Sequence, residues 1–314
     1  MLAQSFVVGL FAMIPVFSYK YLYEHFLPRL AEFRIFQPLF QYSLVEGLMI
    51  FLFNLVLLSL ILLIASALVS LAISAYPHQT LVNVKNALKQ EPLGFVAVSL
   101  MIGFLMYIQF GVEHLTQVKV VGTVLGSVLF LAVIEEYIKH LMVRISDDNR
   151  LNDVDDAITL SIVVGLAFAF VETLIYAFNV GNMGLVIFRS LISLPIHVVA
   201  SGIFGYYYGL SKFSAAFERH ESFKKRHLRK WLHRLLNLKK HTLYGEEKIV
   251  EGTLLASLYH GLMNLLLEFN LSYLTIPFLV MGVFVIFGFY KKGQLHSHRF
   301  LAYWRRRSGA PVVQ

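Results

Sequence analysis

Long runs of apolar residues, each about the length that crosses a lipid bilayer, recur along the whole of this chain. A transmembrane helix needs roughly 20 consecutive apolar residues, whereas a strand of an outer-membrane barrel alternates apolar and polar residues over about ten. The runs here are of the helical kind. With 57% hydrophobic and only 15% charged residues, a soluble domain is excluded. The sequence therefore predicts an all-α, polytopic bundle of transmembrane helices.

The positions of the runs predict about eight spans. They lie at residues 1–19, 47–75, 92–112, 120–143, 157–180, 184–210, 252–269 and 271–290. The first run lacks a basic leading region and an Ala-x-Ala cleavage site, which favours an uncleaved span over a signal peptide. We divide the chain into three N-terminal spans (1–119), a core of spans four to eight (120–290) and a basic tail (291–314).

The loop at residues 212–248 interrupts this core and carries eleven Lys and Arg residues against four Glu. Its leucines and Trp231 recur at helical spacing, which predicts a basic amphipathic helix on the membrane surface, in contact with anionic lipid. Eight spans place this loop and the basic tail on one side. The positive-inside rule makes that side cytoplasmic, together with both termini. This orientation signal accounts for the net charge of +8, so no nucleic-acid partner is expected.

Ionisable residues lie inside several of the spans. The fourth span carries Glu135, Glu136, Lys139 and His140 within six residues. On the mildest insertion scale a charged residue at this depth costs about 3 kcal/mol. Such a residue usually faces the interior of a helix bundle or a water-filled cavity. On a helix Glu135 shares a face with Lys139, and Glu136 shares one with His140. The structural alternative is an ion pair that ties two helices together.

Further polar residues lie alone in the later spans. They are Glu172 and Tyr176 in the fifth, Arg189 and His197 in the sixth, and His260 and Asn264 in the seventh. Because each would be costly in lipid, we expect these groups to cluster around one another or around water. Clustered carboxylates and imidazoles suit hydrolysis by activated water, and they equally suit a proton or metal pathway. The residues alone leave these alternatives open. Since the chain has no cysteine, a thiol nucleophile is excluded.

Four motifs in order along the chain resemble the PrsW family of intramembrane proteases, which is related to type II CAAX prenyl endopeptidases and bacteriocin-processing proteins. The motifs are Glu135-Glu136-x-x-Lys139, Gly165-x-Ala-Phe-Ala-Phe-x-Glu172-x-x-x-Tyr176, Arg189-x₇-His197-x₇-Gly205-Tyr-x-x-Gly209 and His260-x-x-x-Asn264. The resemblance covers roughly residues 120–269. It implies a multi-pass endopeptidase of a bacterial or archaeal cytoplasmic membrane. The substrate would be a membrane-anchored protein, such as an anti-sigma factor or another single-span protein.

The resemblance also implies roles for individual residues. Glu135 and Glu136 match the family's essential glutamate pair, and His260 with Asn264 matches its final His motif. We therefore expect Glu135 to act as general base on water, while Glu136 and Lys139 set its charge. We expect Glu172 and His197 to position water or carry the proton, and His260 and Asn264 to stabilise the oxyanion. The supporting residues would be His140, Tyr176 and Arg189.

The sequence departs from the CAAX relatives at two places. Glu172 stands where those relatives have a histidine, and Lys139 stands where they have an arginine. No His-Glu-x-x-His pair occurs on one helix, so we expect glutamate-activated water without a tightly bound metal. The alternative is a metal-dependent version, with Glu172, His197 and His260 as zinc ligands.

Two other classes of function use the same residues. One is a proton-coupled transporter in which the Glu and His residues form a relay, although the sequence shows no inverted repeat to support it. The other is an inactive relative that acts as a binding scaffold. The complete set of motifs argues against a scaffold.

Overall fold

The computed structural model describes residues 2–14, 16, 17, 21, 101, 119–147, 151–180, 182–214 and 240–308. All secondary structure in these ranges is helical. Six helices are named here: α1 (Leu2–Phe11), α2 (Lys119–Asp147), α3 (Val154–Val180), α4 (Met183–Lys212), α5 (Lys240–Glu268) and α6 (Ser272–Ser308). No strand occurs in these ranges, which agrees with the predicted all-α class.

Three segments of the described residues are long and apolar enough to cross a membrane: Val154–Asn179, Val186–Lys212 and Ser272–Gln294. They correspond to the predicted fifth, sixth and eighth spans. The predicted second and third spans, at 47–75 and 92–112, lie outside the described residues except for Met101, as does most of the predicted amphipathic helix. The count of eight spans therefore remains a prediction.

Two helices extend beyond the spans that the apolar pattern predicts. Helix α5 begins at Lys240, twelve residues before the predicted start at residue 252, and α6 continues to Ser308 through much of the predicted tail. At the start of α5, Lys248 forms an ion pair with Glu251, three residues further on, at 2.7 Å. Such pairs stabilise a helix outside the apolar region, where hydropathy gives no signal.

Helix α4 lies at the centre of the described bundle, between α3 and α5, and also contacts α6. Its closest approach is to α3, where glycines allow the two backbones to meet. A Cβ atom at Gly205 would lie 2.8 Å from the carbonyl oxygen of Ala157 and from the Cα of Ile158. Small residues at helix crossings permit this approach in membrane proteins. It holds the predicted site residues of α3 close to those of α4.

The ends of α3 and α5 carry recognisable caps. The Asp153 side chain accepts a 2.8 Å hydrogen bond from the backbone N–H of Asp156, so Asp153 is the N-cap of α3. Because several acidic residues lie at the start of α3, the sequence predicts Asp155 or Asp156 as its cap. In the structure the Asp156 side chain instead accepts a hydrogen bond from the backbone N–H of Asn152. At the end of α5, Asn270 has a φ of 56°, and the flanking backbone hydrogen bonds form a Schellman motif that turns the chain into α6.

The bundle has a packed interior and an apolar exterior. Ile134, Phe168, Ile196 and Met263, from four different helices, are fully buried. Helix α6 exposes large apolar side chains along its outer face, namely Tyr273, Ile276, Val280, Met281, Phe284 and Phe287. This arrangement is typical of a helix that faces lipid, where exposed apolar surface carries no penalty.

Candidate active site

Helix α2 contributes the first three residues of a buried polar cluster. The ammonium of Lys139 lies 2.5 Å from Oε1 of Glu136, one helical turn before it, and both side chains are almost fully buried. The sequence predicts that Glu135 shares a face with Lys139. In the structure the ion pair of Lys139 is with Glu136, at the i, i+3 spacing, which also brings side chains together on a helix.

Helix α4 places His197 against both Lys139 and Glu172. Nζ of Lys139 lies 2.6 Å from Nδ1 of His197, and Nε2 of His197 lies 2.8 Å from Oε2 of Glu172. Because an ammonium group can only donate, Nδ1 must be the accepting nitrogen of a neutral imidazole. The proton of His197 then lies on Nε2 and is donated to Glu172.

Helix α5 places His260 against the two adjacent glutamates of α2. Nδ1 of His260 lies 2.7 Å from Oε1 of Glu136, and Nε2 lies 3.7 Å from Oε2 of Glu135. Oε1 of Glu136 accepts a hydrogen bond from Lys139, as an ionised carboxylate does, and such an oxygen can only accept. The hydrogen bond with His260 is then donated by Nδ1–H of His260, and Nε2 of a neutral His260 ring carries the lone pair. The rings of His197 and His260 meet edge to face with their centroids 4.6 Å apart.

Glu172 connects the buried cluster to a more exposed edge of the bundle. Its Oε1 lies 3.1 Å from Arg189, and its Oε2 accepts a 3.3 Å hydrogen bond from Ser193. The guanidinium of Arg189 stacks over the ring of Tyr176 at 4.1 Å. The side chain of Arg189 is 41% exposed and that of Glu172 is 21% exposed, whereas His197 is buried. The cluster therefore reaches the surface at this end.

Two carboxylate oxygens in the cluster have no hydrogen-bond partner among the residues that the structure describes. They are Oε2 of Glu135 and Oε2 of Glu136, and both are buried. Leaving a buried acceptor unsatisfied costs about 1–3 kcal/mol, and more for a charged group. Among the described residues the cluster also contains three carboxylates (Glu135, Glu136, Glu172) and two basic side chains (Lys139, Arg189). If all five groups are ionised, the formal charge of the cluster is negative, and one further positive charge would neutralise it.

Three donors in the cluster are close enough to share one ion. Glu135, His197 and His260 each offer one ligand atom, and these atoms lie within 4.8 Å of one another. Two imidazoles and one carboxylate are a common protein ligand set for zinc. The sequence predicts Glu172 as the carboxylate of such a site. In the structure the group that meets this distance contains Glu135, and Glu172 lies beside it, with its Oε2 2.8 Å from Nε2 of His197.

The remaining predicted residues lie around this cluster. The ring of His140 is buried among aromatic residues of α4, with centroids 4.5 Å from Phe204 and 5.9 Å from Tyr208. Asn264 lies one turn along α5 from His260 and is half-buried, and no hydrogen bond links it to the other described site residues. The roles predicted for His140 and Asn264 stay predictions.

Sequence reasoning missed Ser193 and gave no role to Phe168. Ser193 precedes His197 by four residues, so it shares that face of α4 and reaches Glu172. The ring of Phe168 lies 4.6 Å from the ammonium of Lys139 and 5.4 Å from the ring of His197. Helical spacing could have identified Ser193, and Phe168 lies within the second motif.

Comparison with known proteins identifies a family. A family profile described as PrsW family intramembrane metalloprotease matches residues 91–290. A curated protein named Protease PrsW, from Geobacillus kaustophilus (strain HTA426), is 29% identical over 167 residues, which cover 51% of this chain and 69% of that relative. No solved structure matches. The resemblance read from the four motifs is thus confirmed, and the family's description favours the metal-dependent alternative.

Proposed function

Because this chain belongs to the PrsW family of intramembrane metalloproteases and is therefore a membrane-embedded peptide hydrolase, we propose that it cleaves a membrane-anchored protein with water activated at Glu135. The observation that carries this proposal is the buried Oε2 of Glu135, which has no hydrogen-bond partner in the described part of the chain and faces Nε2 of His260 at 3.7 Å. A carboxylate oxygen with no other hydrogen bond is available to take a proton from an attacking water.

The residues around Glu135 fit a divalent metal ion. Glu135, His197 and His260 would hold it, and one ring nitrogen of each imidazole lies 2.7–2.8 Å from the carboxylate of Glu136 or Glu172. Such carboxylate partners fix the orientation of ligating histidines and raise their basicity. When bound, a metal such as zinc supplies Lewis acidity that polarises the scissile carbonyl and lowers the pKa of water. Glu135 has two oxygens, so one can serve as a ligand while the other accepts a proton.

The protein's other residues would orient the reacting groups. Glu136 holds the ring of His260, and Glu172 holds that of His197 while being held itself by Arg189 and Ser193. Deep burial excludes bulk water, which strengthens these interactions. Asn264, half-buried on the same helix as His260, would donate its side-chain amide to the oxyanion that develops during attack.

The substrate would be a single-span protein that enters the bundle from the lipid. The more exposed edge around Glu172, Arg189 and Tyr176 is the part of the cluster that an incoming peptide can reach. We expect the enzyme to lie in the cytoplasmic membrane of a bacterium or archaeon as a multi-pass protein. Its basic loop would contact anionic lipid on the cytoplasmic side.

Replacing the proposed base tests this function. In proteoliposomes supplied with single-span substrates, Glu135→Gln should lower the rate of cleavage by about 10²–10⁴-fold, because the amide cannot accept the proton. The matched control is Glu251→Gln, which removes a carboxylate that pairs with Lys248 outside the cluster, and it should cleave at the wild-type rate. Wild-type turnover by Glu135→Gln would rule out this mechanism. Proton flux without cleavage by the wild-type protein would favour a transporter.

A further inference from the structure

Arg189 lies at the more exposed edge of the polar cluster, where the proposed function has an incoming peptide arrive. It is the only Lys or Arg between Arg150 and Lys212 in the sequence. Its side chain is 41% exposed, whereas the side chain of His197 is 1% exposed. Because a guanidinium stays charged at every physiological pH, a permanent cation stands where the buried cluster reaches the surface.

The contacts that the structure describes for Arg189 use one of its hydrogen-bond donors. One terminal nitrogen lies 3.1 Å from Oε1 of Glu172, and the guanidinium stacks over the ring of Tyr176 at 4.1 Å. A guanidinium carries five N–H donors along the edge of one plane, and stacking on an aromatic ring covers only the face of that plane. The ion pair and the stacking therefore fix the orientation of the plane, and further N–H groups are available to an acceptor.

The surface around Arg189 offers no strong acceptor of its own. The large exposed side chains on the same turns of α3 and α4 are apolar, namely Leu174, Phe178, Ile187, Phe188 and Leu191. Such a surface suits lipid or the apolar span of another protein. A helical span keeps its carbonyl oxygens bonded within the helix, so it presents acceptors only where it unwinds or carries a polar side chain.

We propose that Arg189 is a substrate-binding residue, whose guanidinium donates hydrogen bonds to an oxygen acceptor of the substrate strand, either a backbone carbonyl or an Asp or Asn side chain. This inference rests on the proposed function and names the residue that binds the substrate beside the scissile bond. It makes Arg189 a determinant of specificity in addition to a partner of Glu172.

The position of Arg189 limits which part of the substrate it can contact. The two oxygens of Glu172 join Arg189 to His197, with contacts of 3.1 Å and 2.8 Å, so the guanidinium lies within roughly 8 Å of the His197 ring. An extended strand rises about 3.3 Å per residue. The acceptor should therefore lie about two to four residues from the scissile bond.

Substrate binding measured without turnover tests this inference. The full-length Glu135→Gln protein in detergent is titrated with fluorescent peptides, each an apolar span of about 20 residues in which one position in turn is Asp, Asn or Leu. Adding Arg189→Met should raise the Kd by about tenfold or more, because one charge-assisted hydrogen bond is lost. Arg189→Lys should restore only part of the affinity, since an ammonium lacks the planar fork. If Arg189→Met does not melt cooperatively, Arg189→Gln replaces it.

The control is Lys248→Met, which removes a paired lysine outside the cluster and should leave the Kd unchanged. The peptide series distinguishes the two sources of the acceptor. Tighter binding of Asp or Asn peptides at one position, lost with Arg189→Met, identifies a side chain. An equal loss of affinity for all peptides identifies a backbone carbonyl.

A further comparison separates substrate binding from an effect transmitted through Glu172. Arg189→Met should raise the Kd by the same factor when Glu172 is also replaced by Gln, because independent effects add. An effect that disappears in the Glu172→Gln protein would overturn the inference, since Arg189 would then act only by holding that carboxylate. An unchanged Kd for every peptide would overturn it as well.

Lipid is the remaining competitor for this guanidinium. If the effect of Arg189→Met on the Kd appears only when anionic phospholipid is added, the guanidinium binds a lipid phosphate and the inference is wrong. Cleavage of the peptides by Glu135→Gln would count against Glu135 as the base and leave the Kd comparison at Arg189 intact. The two proposals therefore fail separately.

Discussion

Glu135 and Glu136 are neighbours in the chain, but their surroundings differ in the structure. Successive residues on a helix point about 100° apart, so the two carboxylates cannot share partners equally. Oε1 of Glu136 accepts from both Lys139 and His260, whereas Oε2 of Glu135 has no hydrogen bond to any described residue. Glu136 is therefore suited to hold the cluster together, which agrees with the proposed role of Glu135 as the base.

Glu136→Gln should destabilise the protein as well as impair it. The change leaves the buried ammonium of Lys139 without its carboxylate, and breaking a buried ion pair in this way costs about 3–5 kcal/mol. Thermal unfolding in detergent measures the loss, and zinc titration should show weaker binding because His260 loses the group that orients it. The comparison is Glu251→Gln, whose partly exposed pair with Lys248 contributes no more than about 1 kcal/mol. Equal melting temperatures for the two variants would contradict this view of Glu136.

At this scale the sequence predicts which charged residues lie together better than it predicts their individual contacts. Charged residues within apolar spans are identifiable because lipid penalises them, and the structure brings Glu135, Glu136, Lys139, Glu172, His197 and His260 together. Their pairing was not predictable. Spacings of three and four residues both bring side chains together on a helix, so Lys139 could have paired with either glutamate.

Among the helices, the crossing of α3 and α4 sets the position of His197. Gly165 on α3 packs directly against α4, where a Cβ atom would lie 3.1 Å from the carbonyl oxygen of His197 and 2.7 Å from Cβ of Ser201. Any added atom must push the two helices apart. Glu172 lies two turns further along α3 from Gly165. The contact at Gly165 therefore helps to set the distance between the backbone at His197 and the side chain of Glu172.

Gly165→Ala should lower both stability and activity. Overpacking at such a contact costs about 1–3 kcal/mol, and the shift of α4 would misplace His197. The control is Gly288→Ala on α6, where a Cβ atom would meet nothing within 4 Å, and this change should be neutral or stabilise the helix by up to about 1 kcal/mol. Both variants are compared by thermal unfolding and cleavage rate. Combining Gly165→Ala with Ser201→Gly should recover part of the loss, and a fully stable Gly165→Ala would show that the crossing tolerates expansion.

The sequence predicts the helices near the site to within a few residues at most of their ends. Helices α2, α3 and α4 enclose the predicted spans because apolar runs of this length have one stable form in lipid. The start of α5 was less predictable, since Lys240 to Lys248 is charged and hydropathy carries no signal outside the membrane. The arrangement in which α4 lies between α3 and α5 could not be read from the sequence, because packing depends on contacts between distant residues.

For the molecule as a whole, the distribution of basic residues predicts the orientation in the membrane. The loop at 212–248 has eleven Lys and Arg residues, and it follows α4, which ends at Lys212. Helices α3 and α4 are joined at their other end, where α3 stops at Val180 and α4 begins at Met183. If α3 and α4 each cross the bilayer, the basic loop and this short connection lie on opposite sides.

Cysteine labelling tests that orientation, because the native chain contains no cysteine to interfere. A cysteine at Ser222 in the basic loop should be protected from an impermeant thiol reagent added to intact cells and should react once the membrane is opened, since basic loops remain cytoplasmic. A cysteine at Met183, a residue 69% exposed at the start of α4, should react in intact cells. The more exposed edge at Glu172 and Arg189 would then lie nearer the outer surface, roughly 9–12 Å from the ends of α3 and α4 at 1.5 Å per residue. Labelling of Ser222→Cys in intact cells together with protection of Met183→Cys would reverse the orientation and place that edge nearer the cytoplasm.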